Sequence, residues 1–138
     1  MIYNIFIDMN MKNNPIQPIV SMLESISPLA RLEILQTIGA GEACVCHLEA
    51  RLGYRQAYIS QHLMALRQAG LLDSRREGKY IFYRLAKLEV MSLIQQAAKI
   101  SGVNLPIIEA VSPEKQCGCP NCLPNVIENL AAPKYVHA

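Results

Sequence analysis

The stretch from Arg55 to Leu72 limits what this chain can fold into more than any other. Ile59, Leu63 and Leu66 recur at the i, i+4, i+7 spacing that lines one face of a helix. Gln56, Tyr58, Ser60, Gln61 and Arg67 fall off that stripe and are free to touch a partner. Gly70 follows the last periodic residue and suits a left-handed helix stop. Beyond it the pattern alternates. Leu71–Arg76 and Tyr80–Leu85 read as strands joined by Glu77-Gly78-Lys79. A polar-faced helix that ends in Gly and feeds a hairpin is the layout of a winged helix, in which such a helix enters the DNA major groove.

The flanking sequence supplies the rest of that layout. A helical stripe of Ile16, Ile19, Val20, Leu23 and Ile26 precedes it, placed for a dimer interface or for the core. Ser27-Pro28 predicts a helix start with Ser as N-cap. The helix it opens carries Leu29, Leu32, Ile34, Leu35 and Ile38 and stops at Gly39-Ala40-Gly41. Glu42–Leu52 predicts a further short helix starting near Cys44 or Cys46, with Gly53-Tyr54 as its turn. Short helix, Gly turn and second helix have helix-turn-helix spacing. Glu89–Ile100 predicts a last helix ended by Gly102, and Ile107–Val111 one more turn. The expected organisation is an N-terminal segment at 1–14, a dimerisation helix at 15–26, a winged helix-turn-helix core at 27–87, a C-terminal dimerisation helix at 88–101 and a mobile Cys/Pro tail at 102–138.

Charge agrees with a nucleic-acid partner. Between Arg51 and Lys87 eight bases face two acids, a net of +6, so the remainder carries −4 of a chain total of +2. Gln56, Tyr58, Ser60 and Gln61 are the expected base-reading residues, since Gln reads adenine bidentately and Ser or Tyr takes a base edge. Arg55, Arg67, Arg75, Arg76 and Lys79 are the expected phosphate contacts, the last three at the wing tip. His62 is expected to be a hydrogen-bonded structural histidine. No apolar run approaches the ~18 residues of a membrane span, and no basic segment precedes Ile2–Ile7 as in a signal peptide. A cytoplasmic protein is expected, in which five cysteines point to metal binding or redox sensing more than to structural disulfides.

Ser27-Pro28-Leu29-Ala30-Arg31-Leu32, Glu42-Ala43-Cys44-Val45-Cys46, Ile59-Ser60-Gln61-His62-Leu63, Leu66-Arg67-Gln68-Ala69-Gly70-Leu71 and Arg75-Arg76-Glu77-Gly78-Lys79 together resemble the ArsR/SmtB metalloregulatory repressors over about residues 27–100. The resemblance implies a mainly α, homodimeric winged helix-turn-helix that binds operator double-stranded DNA and leaves it when an inducer binds. It also implies that Cys44 and Cys46 stand where arsenic-sensing members bind. Those members typically continue Cys-Val-Cys-Asp-Leu, often with a third Cys. Here the corresponding positions hold His47 and Glu49. The last-helix site of the zinc sensors has no counterpart, because Val90–Ile100 contains no His.

Thiolates select soft ions. Two cysteines two residues apart diverge by ~200° on a regular helix and face opposite sides on a strand. Cys44 and Cys46 can therefore hold one ion only at a helix start or where a helix unwinds. A helix N-terminus also favours the thiolate. Cys117, Cys119 and Cys122 lie within six residues, with Gly118 and Pro120 fixing turns, and form a chelating loop. Two coordination schemes follow. As(III) or Sb(III) takes Cys44, Cys46 and one tail thiolate; or Cd(II), Pb(II) or Zn(II) takes an S₄ site from Cys44, Cys46 and two tail thiolates. The tail can close the site within one protomer or across two, or bind alone, and His47 is a possible nitrogen ligand. A thiol redox or persulfide sensor of the same fold is the alternative. Cys119-Pro120-Asn121-Cys122 has the C-x-x-C spacing of thiol oxidoreductases but lacks their βαβ context, so no enzyme is expected.

Overall fold

The structure, a computed structural model, describes residues 13–107 and 117–122. The elements run α1 (Gln17–Ile26), α2 (Leu29–Ile38), β1 (Glu42–Cys44), α3 (Val45–Leu52), α4 (Gln56–Gln68), β2 (Leu72–Glu77), β3 (Tyr80–Leu85) and α5 (Glu89–Ile100). This is a winged helix-turn-helix, as the sequence predicts. The predicted turn over Ile107–Val111 lies outside the described residues after Ile107, as do residues 1–12.

The stripe that dominates the sequence faces inward. Ile59, Leu63 and Leu66 are fully buried together with Ile34, Leu35, Ile38, Leu48 and Leu72. Burying each such side chain is worth about 1.5–3 kcal/mol, which fixes α4 against α2 and α3. The turn between α3 and α4 depends on Gly53, whose φ of 75° lets its amide return to the Glu49 carbonyl at 2.9 Å. Gly70 has φ 74°, and Leu71 N–H closes onto Leu66 O at 3.0 Å, so the predicted stop occurs there.

Three local expectations change. Residues 42–44 are a strand that the sequence does not predict, and the helix after it starts at Val45, between the two expected starts. Glu42, Ala43 and Cys44 pair antiparallel with Arg84, Tyr83 and Phe82, giving a three-stranded sheet in the order β1-β3-β2. The free edge of β3 needs partners for its backbone groups, and this outweighs the weak helical tendency of three residues. Second, α2 starts at Leu29 with Pro28 as N-cap, because the Ser27 hydroxyl turns back onto the Glu24 carbonyl at 3.3 Å. Third, the tail expected to be mobile from 102 onward is held at 102–107 and at 117–122. Val103 N–H donates to Ala98 O at 2.8 Å, and Gln36 Nε2 donates to Pro106 O at 2.6 Å. Cys117 and Cys119 are buried.

The last change has a cause in the sheet. Directly opposed residues share a face, so Cys44, Phe82 and Arg75 project to the side away from the main core. Phe82 would stand in water there, yet it is 0% exposed. The segment 117–122 covers it, and Cys44, Phe82, Cys117 and Cys119 form a small second core with Cys46, Tyr80 and Cys122 around it. Phe82→Ala should therefore cost about 3–5 kcal/mol, read as a fall in the urea midpoint at constant m-value. A change below ~1 kcal/mol would place Phe82 outside any packed core.

Candidate metal centre and nucleic-acid interface

The end of β1 brings the two upstream cysteines to one side. Cys44 is still extended, φ −87° and ψ 168°, and serves as N-cap of α3, its sulfur accepting the His47 amide N–H at 3.4 Å. Cys46 is already in the first helical turn. The strand-to-helix change of direction replaces the divergence expected on a regular element. The two sulfurs stand 2.9 Å apart with no unwinding.

The tail completes the cluster. Cys117 Sγ is 3.4 Å from Cys44 Sγ, and Cys46 and Cys117 are joined as a disulfide pair with Cα atoms 5.5 Å apart. With Cys119, the four sulfurs lie within 4.8 Å of one another. A tetrahedral site with metal–sulfur bonds of about 2.3 Å has sulfur–sulfur edges of about 3.8 Å, so the dithiol form of this cluster has the span for one soft ion. Burial, reinforced by the Cys44 sulfur, pushes the Cys119 thiol up, and Cys122 pulls against the shift. Cys122 stands apart from the four. It is half-buried, with its sulfur 3.2 Å from Nδ1 of the buried His47. A single chain thus supplies every sulfur in the cluster.

Two side chains that the sequence reading passed over hold the loop down. Tyr80 O–H donates to Gly118 O at 2.9 Å, and Asn121 Nδ2 donates to Glu42 Oε1 at 2.8 Å. The alternation of Tyr80 and Phe82 on a strand carried a signal of a second covered face. Asn121, inside the cysteine turn, carried none.

The expected DNA-reading residues separate into groups. Gln56, Tyr58 and Gln61 are exposed on α4, and Ser60 is half-buried. Tyr58 is held between Tyr54, ring centroids 5.1 Å apart, and His62, 4.5 Å and edge-on. Arg55 is exposed at the N-cap of α4, and Arg67 is half-buried. Arg76 and Lys79 are exposed at the wing. Arg75 differs from expectation. It is not at the tip but lies across Phe82, guanidinium carbon 4.3 Å from the ring centroid, with Nε donating to Glu42 Oε2 at 2.9 Å and Nη1 to Glu77 Oε2 at 2.8 Å. A second contact joins Nη2 to Glu42 Oε1. Burial pushes the Glu42 carboxyl up, but hydrogen bonds from Arg75 and Asn121 and the charges of Arg75 and Arg84 outweigh it and hold the group below the usual range. Between wing and helix runs a cleft of about 350 Å³. Gln56 and Ser60 of α4, Lys79 and Tyr83 of the wing, and Cys44 and Cys46 are among the residues that line it.

The fold occurs in known proteins. The family model for bacterial regulatory proteins of the arsR family matches residues 30–74. The biofilm growth-associated repressor of Agrobacterium fabrum is 46% identical over 74 residues, covering 54% of this chain and 63% of that protein. The crystal structure of the transcriptional repressor BigR from Xylella fastidiosa is 33% identical, with a TM-score of 0.56 over 67% of this chain and 92% of that one. The chain belongs to the ArsR family. Further ArsR-family relatives diverge in what they are named for. The arsenical resistance operon repressor of Escherichia coli is 38% identical over 68 residues, covering 49% of this chain and 58% of that protein. The homodimeric winged helix-turn-helix domain Mb0332 from Mycobacterium bovis is 26% identical, with a TM-score of 0.57 over 66% of this chain and 84% of that one. The chain thus spans about 60% of the length of the Agrobacterium and Escherichia relatives. The family is one of bacterial regulatory proteins. No helix among the described residues is long and apolar enough to cross a membrane.

His62 gives this interface a pH dependence. Arg31 Nε–H donates to its Nδ1 at 3.2 Å, which requires the neutral ring. Burial first, and the Arg31 charge second, hold its pKa below the usual 6.5. A depressed histidine pKa contributes stability that is present above pH 6.5 and lost as pH falls through the folded value. NMR titration of the His62 ring should give a midpoint below 6.5, and His62→Gln should flatten the stability profile between pH 7 and 5. A midpoint at or above 6.5 would contradict the contact.

Proposed function

We propose that this chain is a transcriptional repressor that leaves its operator when a thiophilic ion is captured by Cys44, Cys46, Cys117 and Cys119. The observation that carries the proposal is the convergence of four sulfurs within 4.8 Å at the start of α3. Four thiolates suit Cd(II), Pb(II) or Zn(II). As(III) or Sb(III) needs three, met by Cys44, Cys46 and either neighbour from the tail. The name of the Escherichia relative supports the metalloid, and the sulfur count supports the divalent ion. His47 and Cys122 flank the site as supporting or reserve ligands. Gln56, Tyr58, Ser60 and Gln61 read bases, while Arg55, Arg67, Arg76 and Lys79 contact phosphate. No catalytic role is assigned to any residue.

Two copies form the operator-binding unit. Ile16, Ile19 and Leu23 of the α1 region and Ile100 at the end of α5 are exposed. Between these helices lies an apolar groove of about 380 Å³ lined by Leu23, Ile26, Leu93, Ile94 and Leu105 among others. Apolar surface of that kind is suited to pairing with a second copy, and Mb0332 supports the same assembly by its homodimeric state.

A second reading is favoured by one observation, the pairing of Cys46 with Cys117. In that reading oxidation of the two thiols, not an ion, is the inducing event.

Moving an operator from 99% to 1% occupied takes about 5.5 kcal/mol of preference for the released state, a factor of about 10⁴. Cys44→Ser/Cys46→Ser should bind operator like the ion-free wild type and show no release with Cd(II) or As(III), measured by fluorescence anisotropy. Normal release by that variant would sink the ion model. X-ray absorption of the loaded wild type should count four sulfurs around Cd(II) and three around As(III). Release by a disulfide-forming oxidant in the absence of any ion would favour the redox reading.

A further inference from the structure

We infer that Asn121 and Glu42 form a latch that withdraws Arg75 from the operator when the tail thiols are gathered. The inference rests on the ion-capture reading and adds the route by which capture reaches the DNA. Asn121 sits between Cys119 and Cys122, so docking of the tail thiols carries its amide to Glu42 Oε1 at 2.8 Å. Glu42 lies two residues before Cys44 on β1, on the covered face of the sheet. With one oxygen held by Asn121, the Glu42 carboxylate presents both oxygens to Arg75. Glu77 takes another of the guanidinium donors at 2.8 Å. The side chain of Arg75 is left 13% exposed, stacked on Phe82.

A guanidinium engaged by two carboxylates has three of its five N–H donors occupied and its positive charge already neutralised, so it contributes little toward neutralising a phosphate. Its neighbours Arg76 and Lys79, by contrast, are exposed at the wing. When the tail undocks, three supports of the withdrawn position go together. Glu42 loses the Asn121 amide, Tyr80 loses Gly118 O, and Phe82, under Arg75, loses its cover. The long Arg75 side chain is then free to extend along the wing to a phosphate. Glu42, Asn121 and Tyr80 are positioning residues in this scheme, and Arg75 is the group they position. Linkage makes the effect reciprocal: whatever factor the ion subtracts from operator affinity, the operator subtracts from ion affinity.

Each phosphate contact contributes about 0.9 to the slope of log K against log salt, and this identifies the group involved. The full chain, Cd(II) as the ion and an operator duplex selected by the wild type from random DNA are used. Operator affinity is measured between 50 and 200 mM salt, and Cd(II) binding by thiolate charge-transfer absorbance. The Cd(II)-loaded wild type is expected to have a slope shallower than the Cd(II)-free protein by about 0.9 for each Arg75. Asn121→Ala and Glu42→Gln should bind Cd(II) as the wild type does and lose that difference in slope. Arg75→Ala should show the shallow slope with and without Cd(II). A wild type released by Cd(II), with Asn121→Ala retaining the full difference, overturns the latch alone. So does an Arg75→Ala protein whose Cd(II)-free slope equals that of the wild type. A wild type that binds the operator and ignores Cd(II) overturns both the latch and the ion-capture reading.

Discussion

The pairing of β1 with β3 is the interaction on which the rest of this structure depends. Three residues, Glu42, Ala43 and Cys44, satisfy the free edge of β3 and are therefore extended up to the helix that starts at Val45. Because the chain is extended at Cys44 and helical from Val45, the Cys44 and Cys46 side chains meet instead of diverging. The same pairing sets Cys44 directly opposite Phe82, which gives the sheet a second apolar face. That face has to be covered, and the cysteine-rich tail covers it. One short strand thus accounts for the thiol geometry, for the order in the tail and for the place where both meet the wing.

The fold was legible from the sequence where periodicity was strong. The stripe Ile59, Leu63 and Leu66 and the stop at Gly70 lie where the pattern put them, because the buried face and the left-handed glycine are local consequences of residue type. Cys44 and Cys46 were legible as a pair, and so was the requirement for an irregular backbone between them. A helix start was one of the two forms foreseen and is the one found, but the strand that leads into it was not legible, since a three-residue strand leaves no period and depends on a partner 38 to 42 residues away. Burial of Cys117 and Cys119 was hidden for the same reason. Their own neighbours in sequence are polar or small, and the apolar surface that receives them belongs to β3. Arg75 was misplaced because charge at a hairpin reads as solvent-facing, whereas Glu42, itself held by Asn121, reaches it only through the tertiary fold.

Docking the tail carries an entropic cost that grows only slowly with the length of chain between Leu105 and Cys117. Two ordinary hydrogen bonds, Tyr80 to Gly118 and Asn121 to Glu42, offset about 1 kcal/mol each. Cover for Phe82 adds a burial contribution of comparable size or larger. These are small quantities beside the coordination of a soft ion by thiolates, which for structural zinc reaches about 10–16 kcal/mol in apparent free energy. A docked state stabilised weakly by the protein and strongly by a bound ion is what a switch requires. A tail already held firmly by protein contacts alone would leave the ion nothing to change.

The location of the thiol cluster also decides which part of the reading head can respond. Close-packed interiors do not deform continuously, and α4 is fixed by fully buried Ile59, Leu63 and Leu66 against α2 and α3. Tilting that helix would break contacts worth several kcal/mol. The back face of the sheet is packed too, but by a smaller cluster. It consists of Phe82 and Cys44 under the 117–122 loop, with Tyr80, Arg75, Glu42 and Glu77 beside them. On the proposed reading, ion capture at Cys44 and Cys46 would act at lower cost through the wing than through the recognition helix. Lys79 and Gln56 line one cleft together with the same two cysteines, so the proposed ion site and two of the proposed DNA contacts share that cleft.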